Sequence, residues 1–155
     1  MNIWVDGDAC PKSIKDILFR VAIKRQVKIY FVANSLLQLP ESDYINFILV
    51  EQGPDIADKK IVEDSSEGDL VITADIPLAV KVVAKGALGL DPRGRIYDKS
   101  NIGAISDMRD FMNTLRNDGV VTGGPNSFSN KDSGKFANKL DKLIVRKIIN
   151  RRGYA

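Results

Sequence analysis

Asp6-Gly-Asp8 directly follows the apolar run Ile3-Trp4-Val5, and Asp75 directly follows Leu70-Val71-Ile72-Thr73-Ala74. Carboxylate oxygens are hard donors, and several gathered in one place hold Mg²⁺ or Mn²⁺. If both apolar runs are strands of one parallel sheet, Asp6 and Asp75 emerge at the same edge. In open α/β sheets that edge, outside the carboxyl ends of the strands, is where ligands sit. One or two divalent ions there would generate hydroxide near neutral pH and stabilise the leaving oxygen of an in-line phosphoryl displacement. The expected chemistry is metal-assisted phosphate hydrolysis.

The chain contains no histidine. That removes histidine-dependent serine and cysteine triads and histidine-ligated zinc hydrolases. Oxygen-ligated metal catalysis, carboxylate or lysine acid/base work, or no catalysis remain. A single cysteine, Cys10, excludes an internal disulfide framework and any multi-cysteine zinc site, and suits a reducing compartment. Cys10 precedes Pro11 at a helix start, a position that lowers a thiol's pKa. With no histidine and no second cysteine, packing is the favoured role.

Position selects among the other acids. Asp69 stands before the strand that Asp75 follows, so most of the sheet's height, at ~3.3 Å per residue, separates them. Asp69 is therefore left out of the site. Asp55 and Asp58 lie near the start of a helix that follows the third strand, hence at the same edge as Asp75. Asp58, one turn inside, has two open roles: metal ligand, or an acid favoured by the helix dipole. Asp8 likewise stands open between metal binding and capping of the helix after Pro11. Asp6 directly ends a buried strand and reads as functional. Arg93 and Arg95 could bind phosphate bidentately. Asn34 and Ser35, at a neighbouring strand end, could donate hydrogen bonds to substrate, although ordinary loop roles suit them too.

The elements that must position these residues are legible. Asn2 to Val5 reads as a buried strand, with a helix opened by Pro11 at its first position and carrying Ile14, Ile17, Leu18, Val21 and Ala22 at helical spacing. Strands follow at Lys28 to Ala33 and near Phe47 to Val50. Asp55 is placed to cap a helix containing Ile56, Ala57, Ile61 and Val62. Leu70 to Ala74 is continuously apolar, as expected when helices cover both sheet faces. A helix from about Ile76 to Lys85, a short run Ala87 to Leu90 and the turn Asp91-Pro92-Arg93-Gly94-Arg95 complete the alternation. In the last third, Met108, Phe111, Met112 and Leu115 form one helical stripe, and Phe136, Leu140, Leu143, Ile144 and Ile148 another. Asp118 to Ser133 reads as a long loop. The pattern predicts an α/β fold: a three-layer sandwich around a mainly parallel sheet.

At 155 residues the expectation is one domain, with a helical, basic part from about residue 130. The 23 basic and 20 acidic side chains leave a net charge of only +3. Acids crowd Glu41 to Asp75, whereas Lys135, Lys139, Lys142, Arg146, Lys147, Arg151 and Arg152 make the end basic, as a phosphate-binding surface or a solvated face. No apolar stretch approaches the ~18 residues of a membrane span, and the start does not resemble a signal peptide. A cytoplasmic protein without membrane association is expected.

Asp6-Gly-Asp8-Ala9-Cys10-Pro11, Val32-Ala33-Asn34-Ser35, Ile72-Thr73-Ala74-Asp75-Ile76-Pro77-Leu78-Ala79, Asp91-Pro92-Arg93-Gly94 and Phe136-Ala137-Asn138-Lys139-Leu140-Asp141 closely resemble the YaiI/YqxD family of small bacterial proteins over essentially the whole chain. That family in turn resembles the PIN domains, many of them metal-dependent ribonucleases with an α/β/α fold. Asp58, a stretch of helix, and Thr73-Ala74-Asp75 look like the PIN pattern of an aspartate ahead of a strand ending in Thr-x-Asp, and Asp6 matches its first acidic position. A further PIN acid, on a helix between the first strand and Asp58, has no counterpart here. The resemblance implies a PIN-like, Mg²⁺- or Mn²⁺-dependent nuclease acting on RNA, with Asp6, Asp58 and Asp75 as catalytic metal ligands and Asp8 as an auxiliary ligand. Two alternatives stand beside it. One is a non-catalytic nucleic-acid-binding or regulatory module, for which Tyr97 and Phe128 are weak candidates to stack bases. The other is a haloacid-dehalogenase-like phosphatase with Asp6 as nucleophile. Cys10 replaces the threonine that usually follows that motif, and no convincing lysine or late acidic pair is present.

Overall fold

A computed structural model describes residues 1–120 and 127–151, with side chains to residue 149. The elements in chain order are β1 (Ile3–Asp6), α1 (Lys12–Arg25), β2 (Ile29–Ala33), β3 (Ile45–Leu49), α2 (Ile56–Asp64), β4 (Leu70–Ile72), α3 (Ile76–Ala84), β5 (Leu88–Leu90), β6 (Ile96–Tyr97), α4 (Ile102–Asn117) and α5 (Asn130–Arg151). The strands form one six-stranded sheet in the order β3-β2-β1-β4-β5-β6. All neighbours are parallel except β5 and β6, an antiparallel pair of Gly89 with Tyr97 and Leu90 with Ile96.

The sheet is covered on both faces. Ile3, Val5, Phe31, Leu70 and Ile72 face one way and pack with Ile14 and Leu18 of α1 and Phe136, Leu140 and Ile144 of α5. Their neighbours Trp4, Val32 and Val71 face the other way, against Ile61 of α2 and Leu78 and Val82 of α3. This is the period-2 alternation of a strand read on both sides at once, so β4 is buried throughout. The architecture is the expected three-layer α/β/α sandwich.

Connectivity decides where a ligand can sit. From β1 the chain steps outward to β2 and β3 with α1 on one face. It then returns under the other face through α2 to β4 and continues to β5. The direction of winding reverses between β1 and β4, whose paired residues run from Ile3 and Leu70 to Val5 and Ile72. Their carboxyl ends diverge into opposite connections and leave a crevice, the topological switch point of doubly wound sheets.

Several local expectations shift. Strands β1 and β3 run Ile3–Asp6 and Ile45–Leu49, and β4 stops at Ile72, leaving Thr73 and Ala74 outside the ladder. Pro11 is the N-cap of α1 rather than its first residue, its carbonyl accepting from Ile14 and Lys15, and no side chain caps that helix. Asp55 does not cap α2 by its side chain; it sits in the left-handed region, φ 63°. Strand β6 was not anticipated. The expected loop from Asp118 to Ser133 ends early, because α5 begins at Asn130; residues 121–126, and the side chains of Arg151 and Arg152, lie outside the described residues. The stripe on α4 forms, yet it does not enter the core: Met108 and Phe111 are 59% and 57% exposed. Among the described residues no helix is long and apolar enough to cross a membrane.

Candidate active site

Asp6 is the last residue of β1 and Asp75 stands three residues beyond β4, so both central strands deliver a carboxylate to the switch point. Helix α2 follows β3 and therefore starts at the same edge, which brings Asp58, in its first turn, to that crevice. The three interact. Asp58 shares a side-chain hydrogen bond with Asp75 and feels the charges of Asp75 and Asp6.

Thr73 joins the two strand ends. Its buried hydroxyl donates to Asp6 Oδ2 at 3.3 Å and accepts from the Asp75 backbone N–H at 3.0 Å. Sequence reasoning placed Thr73 in the Thr-x-Asp pattern without giving it a role of its own. The signal lay in a hydroxyl side chain at the end of an apolar strand. Asp75 is also the N-cap of α3, its Oδ1 accepting from Leu78 N–H at 3.1 Å, with a proline in the first turn. The cap fixes the carboxylate and satisfies one helix donor.

Burial and mutual repulsion set the acidities. Asp6 is raised from the ordinary aspartate range by burial, which outweighs the Thr73 hydrogen bond, with the charges of Asp75 and Asp8 adding to the rise. Asp58 is raised from 3.8 to about 6, chiefly by desolvation and then by Asp75 and Asp6. Each would release its proton more readily beside a cation.

Asp8 belongs to a different arrangement. Gly7 donates to Val32 C=O at 2.9 Å, and a Cβ on Gly7 would crowd Leu37 Cδ1 at 2.9 Å and Val32 O at 3.1 Å, so glycine suits this close approach. Asp8 consequently meets the end of β2, accepting from Asn34 N–H at 2.8 Å and Ser35 Oγ at 2.7 Å. It does not cap α1. Of the donors expected to meet substrate, the Ser35 hydroxyl is engaged by Asp8, as is the backbone N–H of Asn34.

The arginines diverge. Arg93 pairs with Asp132 of α5 at 3.3 Å and lies 5.9 Å from the Phe128 ring centroid. Arg95 reaches Tyr97 Oη at 3.3 Å and lies 5.1 Å from that ring's centroid. Tyr97 is fully buried, and Phe128 packs against the core, so neither is an open stacking platform. Cys10 is buried, with its thiol pushed up to about 12 by desolvation, which fits packing rather than reactivity. Asp69 sits at the opposite edge as expected, accepting from Asn2 N–H, Trp4 Nε1 and Ser66 N–H.

Among the described residues no three or more Asp, Glu, Cys or His side chains stand together as a ready-made metal cage. The donors at the switch point are all oxygens, which suits a hard cation and not zinc. An open set of this kind fits Mg²⁺, which keeps several waters and is commonly held by one or two carboxylates together with substrate phosphate.

Fold and edge together define a doubly wound α/β protein with an acidic switch point. The chain belongs to the YaiI/YqxD family: the family model described as "Uncharacterized BCR, YaiI/YqxD family" matches residues 4–146. Proteins named "UPF0178 protein" from Maridesulfovibrio salexigens and Hydrogenovibrio crunogenus are each 53% identical, the first over 96% of this chain and 98% of its own length, the second over 94% and 97%. A third, from Shewanella amazonensis, is 53% identical over 94% of this chain and 98% of its own. No solved structure matches.

Proposed function

We propose that the protein is a PIN-like, divalent-metal-dependent nuclease that hydrolyses phosphodiesters of RNA. The observation that carries this reading is the convergence of Asp6, Asp58 and Asp75 on the switch point, close enough that the charge of Asp75 raises the pKa of both Asp6 and Asp58. Mg²⁺ or Mn²⁺ would be held by Asp6, Asp75 and Asp58, and when bound would supply a hydroxide nucleophile and stabilise the leaving oxygen. Thr73 holds Asp6 and the Asp75 backbone in register. Asp8 acts as an auxiliary by ordering the neighbouring strand end. Arg93 and Arg95, on the turn after β5, are the phosphate-binding side chains of this reading.

One other reading, a nucleic-acid-binding module without turnover, starts from the same acidic fold and the basic residues of α5. Cleavage of end-labelled single-stranded and structured RNA with Mn²⁺, Mg²⁺ or EDTA separates the two. Asparagine at position 75 can still cap α3, so Asp75→Asn removes charge while sparing the fold. Metal-dependent products lost in Asp6→Asn and Asp75→Asn are expected. Products undiminished in those variants would refute the assignment, and binding without cleavage under any ion would establish the module.

A further inference from the structure

Helix α4 is sixteen residues long and buries none of them, although it carries an apolar stripe. Between this helix and the start of α3 lies an open groove of about 490 Å³. Its floor includes Ile76, Met108 and Met112, and its walls carry Arg95, Arg109 and Arg116, with no carboxylate among the described residues of the lining. Ile76 is the residue after Asp75, so the lining of the groove reaches to within one residue of the acidic edge.

The three guanidiniums hold only weak partners. Arg109 pairs with its neighbour Asp110 at 3.2 Å on the surface, Arg116 reaches Asn113 Oδ1 at 3.2 Å, and Arg95 reaches a phenol oxygen. The Arg109 and Arg116 pairs are exposed and contribute little, so their exchange for phosphate costs little, whereas Arg95 keeps its place over the Tyr97 ring. Guanidiniums bind phosphate in a bidentate fork. An apolar floor between them has no use to a duplex, whose base faces are stacked inside. It suits a single strand, whose bases expose those faces. A second copy of this chain fits poorly in a two-fold pairing, since a lining with three arginines would meet its own kind.

We propose that the groove between α4 and α3 is the track that receives single-stranded RNA and leads its phosphodiesters to Asp75. The inference rests on the nuclease reading for its destination, and not for the binding itself. Guanidiniums take the phosphates while Ile76, Met108 and Met112 contact the bases.

The test measures anisotropy of a labelled oligouridylate, a labelled RNA duplex and a labelled polyglutamate peptide in EDTA, with native protein and an Arg109→Gln/Arg116→Gln double variant. Thermal melting confirms that the variant folds, both residues being exposed. Native protein binds the single strand more tightly than the duplex. The double variant binds it about tenfold or more weakly, and its salt slope is shallower by roughly 1.4, two phosphate contacts at about 0.7 each. Equal binding of duplex and single strand, unchanged affinity in the double variant, or preferential binding of polyglutamate would each overturn the proposal. Expected binding without metal-dependent cleavage would leave the track standing and remove the nuclease. Cleavage undiminished in the double variant would do the reverse.

Discussion

At the scale of single residues, the acidic edge is held under electrostatic tension. Asp58 carries a proton in the folded chain up to about pH 6, whereas an unfolded aspartate releases it near 3.8. Below 3.8 both states are protonated and the repulsion is absent. Between those values the folded state binds more protons than the unfolded one, so stability falls as pH rises, and above them the folded chain carries the full repulsion. Asp58→Asn has no charge to repel. It is expected to melt above the native protein at about pH 8, by about 1 kcal/mol once solvent screening of this partly exposed group is allowed for, and to lose the advantage near pH 4. Melting curves at both values check this; an advantage independent of pH would mean that neither burial nor the charges of Asp75 and Asp6 raise the Asp58 pKa. Thr73 shows how a neutral residue shapes the same edge. Its hydroxyl bonds one strand's aspartate and the other's backbone, so removing it would loosen both.

At the scale of elements, the two ends of β4 carry aspartates with opposite duties. Asp75, at the carboxyl end, begins α3 and faces the switch point. Asp69, at the amino end, is buried and ties together the chain start, the Trp4 indole and the turn at Ser66. Asp69→Ala leaves those donors without their acceptor and should cost about 3 kcal/mol of stability. Denaturant unfolding checks the loss, and RNA cleavage per folded molecule should be retained. Preserved stability would show that water replaces the carboxylate. Position along the strand separates these roles, and the sequence displays position. It does not display the partners of Asp8, because the close approach at Gly7 that aims Asp8 at β2 is a contact between segments distant in the chain.

For the whole molecule, opposing charge is distributed by layer and edge. The switch point concentrates acids, while α5 carries Lys135, Lys139, Lys142, Arg146 and Lys147. A cation at the acidic edge would relieve repulsion that folding creates, so binding to the folded state raises its stability. Mn²⁺ at about a hundredfold its Kd should stabilise the native protein by about 2.7 kcal/mol, reversed by EDTA and lost in Asp6→Asn and Asp75→Asn. Differential scanning calorimetry measures it. An equal shift in all three proteins would place the ion elsewhere.

The sequence alone located five of the six strands, the helices and the edge to which Asp6, Asp58 and Asp75 belong, because apolar periodicity and chain direction are local properties. The same local reading overextended β4, missed the two-residue β6 and gave α4 a stripe without saying whether anything covers it. Those outcomes depend on what packs alongside. Packing between the layers fixes the rest: the reversal of winding between β1 and β4, the span of Thr73 across the two ends, the turn of Asp8 to Asn34 and Ser35 and the pairing of Arg93 with Asp132. The last three are contacts between residues far apart in the chain, formed when the layers close on one another and written in no single stretch of residues.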